Sequence, residues 1–326
     1  MLKTTLIAAV FAATTTAHTA AWTAEGMYCS LGNTTTSTNL NNNLPVGPLY
    51  NLTKADWWFQ HERGCDNAPP PENSFLEIPA GGTFTVELAH NRAQTSLSYD
   101  GKFASDWPDG QQHPDDMNAP PGGCVPDGAL HTSNQSYAAG TAFAISYESD
   151  LSAVTMENLA VFSVLEHTPW KRLATYSVPA AMPACPEAGC TCAWLWVPYH
   201  CGQPNMYMQG LKCKITNATS TTPIAAAQAP VYCREDTTKC VKGAKQMIVY
   251  NQLEGNNVPV TSMGPNGWWD VPMYNEQCGF STGESLSWPR CCFDGLFYGR
   301  DTDSCRLKVR KTTFLSRRPR LPPDKT

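Results

Sequence analysis

The sequence predicts an all-β protein: an antiparallel, immunoglobulin- or fibronectin-like β-sandwich with long disulfide-linked loops. Three observations carry this. Short β-prone runs recur between Gly, Pro and Asn punctuation, amphipathic helical patterns are scarce, and fourteen cysteines are spread along 326 residues. Several strands with turn signals and little helix favour two packed sheets.

The first segment, Leu6 to Ala13 (LIAAVFAA), is an apolar run behind Lys3, with small residues Thr15 and Ala17 just beyond it. That is the pattern of a secretory signal over 1–17, too short to span a bilayer as a helix. Cleavage after Ala17 leaves about 309 residues and a chain beginning at His18. Cleavage after Ala21, with Thr19 in the −3 place, would start it at Trp22 instead. The run LTKADWWFQHE (52–62) suits a short helix. In GGTFTVELAH (81–90), Phe84, Val86 and Leu88 alternate with Thr83, Thr85 and Glu87, the period of a strand with one buried face. Further strands are expected at 141–147 (TAFAISY), 158–166 (NLAVFSVLE), 192–197 (CAWLWV), 205–215 (NMYMQGLKCKI) and 245–250 (KQMIVY). Connectors such as NAPPPEN and NAPPGG read as loops.

No repeat or linker divides residues 18–283, so one domain is expected there. Beyond it, 284–326 reads as a basic, disordered extension: residues 301–326 hold eight Lys or Arg against three Asp or Glu. A basic arm can touch nucleic acid, but no nucleic-acid-binding motif accompanies it. With the signal peptide, four sequons at Asn33, Asn51, Asn134 and Asn217 indicate a secreted glycoprotein. In that oxidising setting the cysteines read as disulfides. Zinc is the alternative for CPEAGCTCAWLWVPYHC (185–201), but its spacing fits common zinc patterns poorly.

The chain has no GxSxG elbow, P-loop or HExxH pattern. A hydrolytic carboxylate pair stays open, with no carboxylate in a distinguishing context. Of the seven histidines, His61, His113 and His200 sit in loop sequence, His90 ends a strand on its apolar face, and His131 and His167 lie in connectors. His18 differs, because cleavage gives it two donors, an α-amine and an imidazole. The amine titrates near pH ~8, low enough for a metal to displace its proton. With a second imidazole, three nitrogens suit tetragonal Cu(II), and a tyrosine can fill a weak axial position.

The chain resembles the lytic polysaccharide monooxygenases of fungi, most closely auxiliary activity family fourteen, linked to xylan on cellulose. The resemblance runs from His18 to about Gly283. Its segments are ADWWF (55–59), LEIPAGGTFTVELA (76–89), His131-Thr132, VFSV (161–164), MPACPEAGCTCAWLW (182–196), NMYMQGLKCKITNATS (205–220) and LEGNNV (253–258). It implies one copper ion held by His18 and His131 with Tyr207 axial. Where the family usually has Gln or Glu to position the oxygen species, this chain has the shorter Asn205. Met206 and Met208 then point to the opposite face of the strand from Tyr207. A glycan on Asn134 would crowd the copper face, so low occupancy is expected there. Trp22, Trp57 and Trp58 are candidates for glycan contact or for the core.

The implied protein is a secreted monomer that cleaves plant cell-wall polysaccharide oxidatively, with an external electron donor and O2 or H2O2. It needs neither nucleic acid nor membrane. Two alternatives remain: a copper-binding relative with the same ligands and no cleavage, and a metal-free carbohydrate-binding wall protein.

Overall fold

The computed structural model describes residues 18–199, 201–260 and 270–284; the signal segment, His200 and most of the basic extension lie outside them. Among the described residues, ten strands form two sheets. They are β1 (Ala20–Trp22), β2 (Leu76–Pro79), β3 (Thr83–Ala89), β4 (Thr141–Ser146), β5 (Ala160–Leu165), β6 (Leu173–Ser177), β7 (Cys190–Trp196), β8 (Tyr207–Thr216), β9 (Lys245–Gln246) and β10 (Gly283–Glu284). The small sheet runs β1-β3-β6; the large one runs β10-β5-β4-β7-β8-β2, with β9 also paired to β5. Every pairing between strands is antiparallel except β2 with β8, which is parallel and departs from the expected arrangement.

The sheets meet face to face over aromatic side chains. Phe84 and Tyr176 from the small sheet stack at 5.5 Å, and Phe143 of β4 meets both edge-on at 4.9 and 4.8 Å. Tyr176 carries its hydroxyl into this core, where Thr141 bonds it at 2.5 Å and Trp194 Nε1 donates at 3.2 Å. Burial pushes that phenol up to about 12.

The two sheets differ in exposure, and their sequences show why. The small sheet is half solvated, so β6 alternates exposed and buried along LATYS, and the first half of β3 does likewise. The large sheet is covered twice. Its other face lies under loops that contribute Leu49, Trp57, Phe59, Met247, Ile248 and Val249. Strands β4 and β7 are therefore buried at every position and read as unbroken apolar runs. Parity still sorts their residues by size. Phe143, Ile145, Trp194 and Trp196 fill the space between the sheets, while Ala142, Ala144, Ala193 and Leu195 face the loop layer. A bulge in β5 at Phe162 opposite Phe143/Ala144 lets Val161 and Val164 share the loop face.

Two sequence expectations are shortened here. The run 245–250 pairs only at Lys245–Gln246, since Met247, Ile248 and Val249 plug the loop face rather than extend the ladder. The helix expected over 52–62 closes one α turn at Lys54–Trp57. It then continues as 3-10 turns interrupted at Phe59 and Gln60, which both take positive φ. Trp22 and Trp57 are fully buried, so both belong to the core rather than to a glycan surface.

The cysteine-rich segment is disulfide-bonded, as expected. Cys192–Cys213 ties β7 to β8, Cys185–Cys190 closes the turn before β7, and Cys124–Cys201 joins the loop ahead of His131 to the loop ahead of β8. Cys29–Cys65 and Cys233–Cys240 staple the covering loops. Among the described residues, no helix is long and apolar enough to cross a membrane.

Candidate metal centre

Strand order brings the four expected site residues to one end of the sandwich. His18 immediately precedes β1 and His90 immediately follows β3. The antiparallel register Ala20↔Ala89 therefore sets both histidines at the same end. Tyr207 opens β8 opposite Trp196, which closes β7. His131 comes in on the loop before β4. Thr19 Oγ1 donates to Ala129 O at 3.5 Å, which lays the His18 segment beside that loop.

Each residue is held by a local device. Asp127 caps the 3-10 turn Gly128–Leu130 by accepting from Ala129 N at 3.1 Å, and His131 follows at φ 49°. That left-handed residue ends the turn and swings the imidazole inward, where it is buried. Its ring packs edge-on against Trp196 at 5.5 Å, and the same indole stacks on Tyr207 at 4.6 Å. Gly202 closes over the imidazole: a Cβ there would lie 2.7 Å from His131 Cε1 and Nδ1. On β8, Tyr207 faces the space between the sheets while Met206 and Met208 enter the loop-covered core. Paired bonds between Leu49 and Met206, at 2.8 and 3.1 Å, fix the backbone just before the tyrosine.

Gln209, two residues along the same face of β8, clamps the other side. Its amide bonds both polar groups of Ala21, accepting from N at 3.0 Å and donating to O at 2.6 Å. The histidine segment is thus tied to the tyrosine strand. The sequence reading missed this residue. Its signal was a polar side chain on the face of β8 otherwise filled by Tyr207, Leu211, Cys213 and Ile215.

The Tyr207 phenol is held well above the ordinary tyrosine range by burial, against the opposing pull of Arg63 and a hydrogen bond from the Asn205 side chain. It is a neutral phenol at any working pH. Arg63, itself lowered by burial, donates to Pro48 O at 2.8 Å. Asn205 is buried, and its amide lies against the phenol rather than out in solvent.

Behind the histidines lies a pair that the sequence did not single out. His90 Nε2 is 3.5 Å from Asp127 Oδ2. Burial pushes His90 down to about 4, with the charges of His131 and His18 adding to the effect of burial, and pushes Asp127 up to about 7. Burial thus favours the neutral form of each partner. Asp109, paired with His113 at 2.8 Å, supplies the nearest further charge.

Two imidazoles and a neutral phenol converge here, and a glycine leaves room over one of the rings. These residues fit a copper ion, since nitrogen donors with a weak oxygen donor are what Cu(II) takes. Among the described residues there is no group of three or more His, Cys, Asp and Glu that could hold a metal without a further kind of donor.

The sequence matches the family of AA14 lytic polysaccharide monooxygenases over residues 1–285, and the chain belongs to that family. It is 35% identical to AA14 family lytic polysaccharide monooxygenase B of Pycnoporus cinnabarinus, over 84% of this chain and 71% of that one. Similarity to the B protein of Talaromyces rugulosus is 40% identity over 82% and 91%. The A protein of Trametes coccinea (strain BRFM310) is 33% identical over 85% of this chain but only 62% of its own length.

Proposed function

We propose that this protein is a secreted, copper-dependent monooxygenase that cleaves a plant cell-wall polysaccharide oxidatively, with xylan on cellulose as the substrate. The observation that supports it most is the meeting of His18, His131 and Tyr207 at one end of the sandwich in a chain of this family.

Cleavage after Ala17 completes the ligand set. A site with two imidazoles needs another nitrogen to hold Cu(II) in tetragonal geometry, and the α-amine freed at His18 supplies it. His18, through its amine and ring, and His131, through its ring, would hold the copper, with the Tyr207 phenol as a further oxygen donor. A copper ion held by these residues would supply the redox chemistry, with an external reductant and O2 or peroxide, by which a glycosidic carbon is oxidised. The protein's own part is positional. Trp196 keeps the His131 ring and the Tyr207 phenol in fixed relation, and Gln209 keeps the His18 segment from drifting off β8. Asn205 holds the phenol by its amide, a shorter reach than the Gln or Glu usual at this place. Export agrees with the sequons: Asn33, Asn51 and Asn217 are exposed, while Asn134 is half-buried and accepts from Tyr137 N at 3.2 Å.

The test begins with amino-terminal sequencing of the secreted protein; a start at Trp22 overturns the site. Copper-loaded protein with reductant, peroxide and xylan-coated cellulose is then expected to release oxidised oligosaccharides. No oxidised product on any of several plant polysaccharides would leave a copper-binding protein without cleavage. His131→Ala is expected to abolish the tetragonal Cu(II) resonance signal, and an unchanged spectrum removes His131 from the site.

A further inference from the structure

A second cleft, lined by none of His18, His131, Asn205 and Tyr207, opens between the loop around Asn41 and the segment 91–111. Its volume is about 760 Å³. On one side stand Tyr99 and Phe103, 43% and 48% exposed, with ring centroids 5.5 Å apart in an edge-on arrangement. The lining also includes Asn41, Asn91, Gln94 and Asp109. The Asn91 amide is bonded to Asn41 O at 3.2 Å and Ala93 N at 2.7 Å, and the Asp109 carboxylate to Gln111 N at 2.9 Å and His113 at 2.8 Å.

The backbone holds the Tyr99 ring outward under strain. Tyr99, Asp100 and Gly101 follow one another at φ 51°, 53° and 71°. Only the last is glycine, so two L residues are kept in the left-handed region. Neither ring gains a place in a core by this: all the core clusters omit both. A fold that accepts strain to expose one aromatic ring beside another at a polar cleft has the form of a binding surface.

The cleft's chemistry selects the ligand. An exposed aromatic ring suits the apolar C–H face of a pyranose, and amides suit its hydroxyls as both donors and acceptors. Gln94 Nε2 is engaged with Asp109 O at 2.8 Å, while its buried Oε1 has no partner among the described residues. Lys102, over the Phe103 ring at 5.5 Å, and Asp109 contribute one charge of each sign, which favours neither an anionic nor a cationic ligand. We propose that this cleft is a second glycan-binding site, in which a neutral pyranose chain packs against the exposed Tyr99 and Phe103 rings and hydrogen-bonds polar side chains of the lining. It would anchor the polymer apart from the histidine end, and it rests on the reading of the protein as one that acts on polysaccharide.

The experiment uses the full-length secreted protein, copper-free, with binding read as depletion onto cellulose and xylan-coated cellulose and by calorimetry with cellohexaose and xylohexaose. The double variant Tyr99→Ala/Phe103→Ala is expected to lose about tenfold in affinity. Tyr99→Phe, which keeps the stacking face, is expected to bind as the parent does. Peroxide formation by the copper-loaded double variant with reductant alone should match the parent, because neither ring touches the histidine end. Equal depletion of parent and double variant, or no binding by the parent to any of these glycans, overturns the site. If the parent releases no oxidised products yet the double variant loses binding, the oxidative reading falls and the glycan site stands.

Discussion

Gly202 is confined from two directions, which makes it a sharp probe of the histidine site. Its φ of 139° is costly for any L residue, and a Cβ would press into the His131 ring. Gly202→Ala should cost about 1–3 kcal/mol of stability from backbone strain and displace the imidazole. Calorimetry with Cu(II) is expected to show at least about tenfold weaker binding, a change of ~1.4 kcal/mol; undiminished affinity would mean that this ring does not bind the metal.

Asp127 and His90 give a second test at the same scale, in metal-free protein. The carboxyl's folded pKa, about 7, lies above its unfolded value, so its contribution is whole at low pH and declines as pH rises from ~4 to ~7. His90 is depressed to about 4, so its contribution declines in the opposite sense, as pH falls from ~6.5 to ~4. The two slopes offset each other in the parent. Asp127→Asn keeps an acceptor for Ala129 N and removes one slope. Denaturant unfolding from pH 4.5 to 6.5 should show the variant gaining on the parent by about 1.4 kcal/mol per pH unit. A difference that stays constant with pH would show that Asp127 is ionised throughout.

At the scale of elements, the loop carrying His131 has little regular structure of its own, only 3-10 turns such as Gly128–Leu130. Its position depends on the cap at Asp127, the packing on Trp196 and the bridge Cys124–Cys201, which closes a sequence separation of 77 residues. Chain-entropy reasoning assigns such a bridge roughly 4 kcal/mol. Replacing both cysteines with Ala should lower the melting temperature. It should also raise hydrogen exchange selectively between residues 124 and 138, while amides of β4 and β7 stay protected. Uniform loss of protection would place the bridge's effect in the sandwich instead. Elements were legible in the sequence where one face decides burial: the alternation around Phe84 located β3 to within two residues at its start and one at its end. Strands β1, β2 and β6 were not picked out as strands. Two are short, and β6 follows the polar Lys171-Arg172, so none offers a periodicity that stands out from loop sequence.

For the whole molecule, the aromatic contact between sheets is the joint that holds the histidine end together, because β1 belongs to one sheet and β8 to the other. Phe143 touches Phe84 and Tyr176 across that joint and is fully buried. Phe143→Ala should cost about 3–5 kcal/mol in equilibrium unfolding, the range for large-to-small aromatic truncation in a core. A loss under about 1 kcal/mol would mean that the sheets close around the gap.

What the sequence determined by itself was the all-β class, the disulfide reading of the cysteine-rich segment, and the residue types a copper site needs, with His18, His131 and Tyr207 named through family resemblance. These are local properties: a period of two, a count of thiols, a motif around a residue. Tertiary structure alone decided which residues meet. Gln209 binding Ala21 across 188 positions, Trp196 touching both His131 and Tyr207, and His90 facing Asp127 all depend on strand register and sheet closure. A single sequence carries no record of such distant pairings, because each partner is chemically ordinary until the fold brings it to the other.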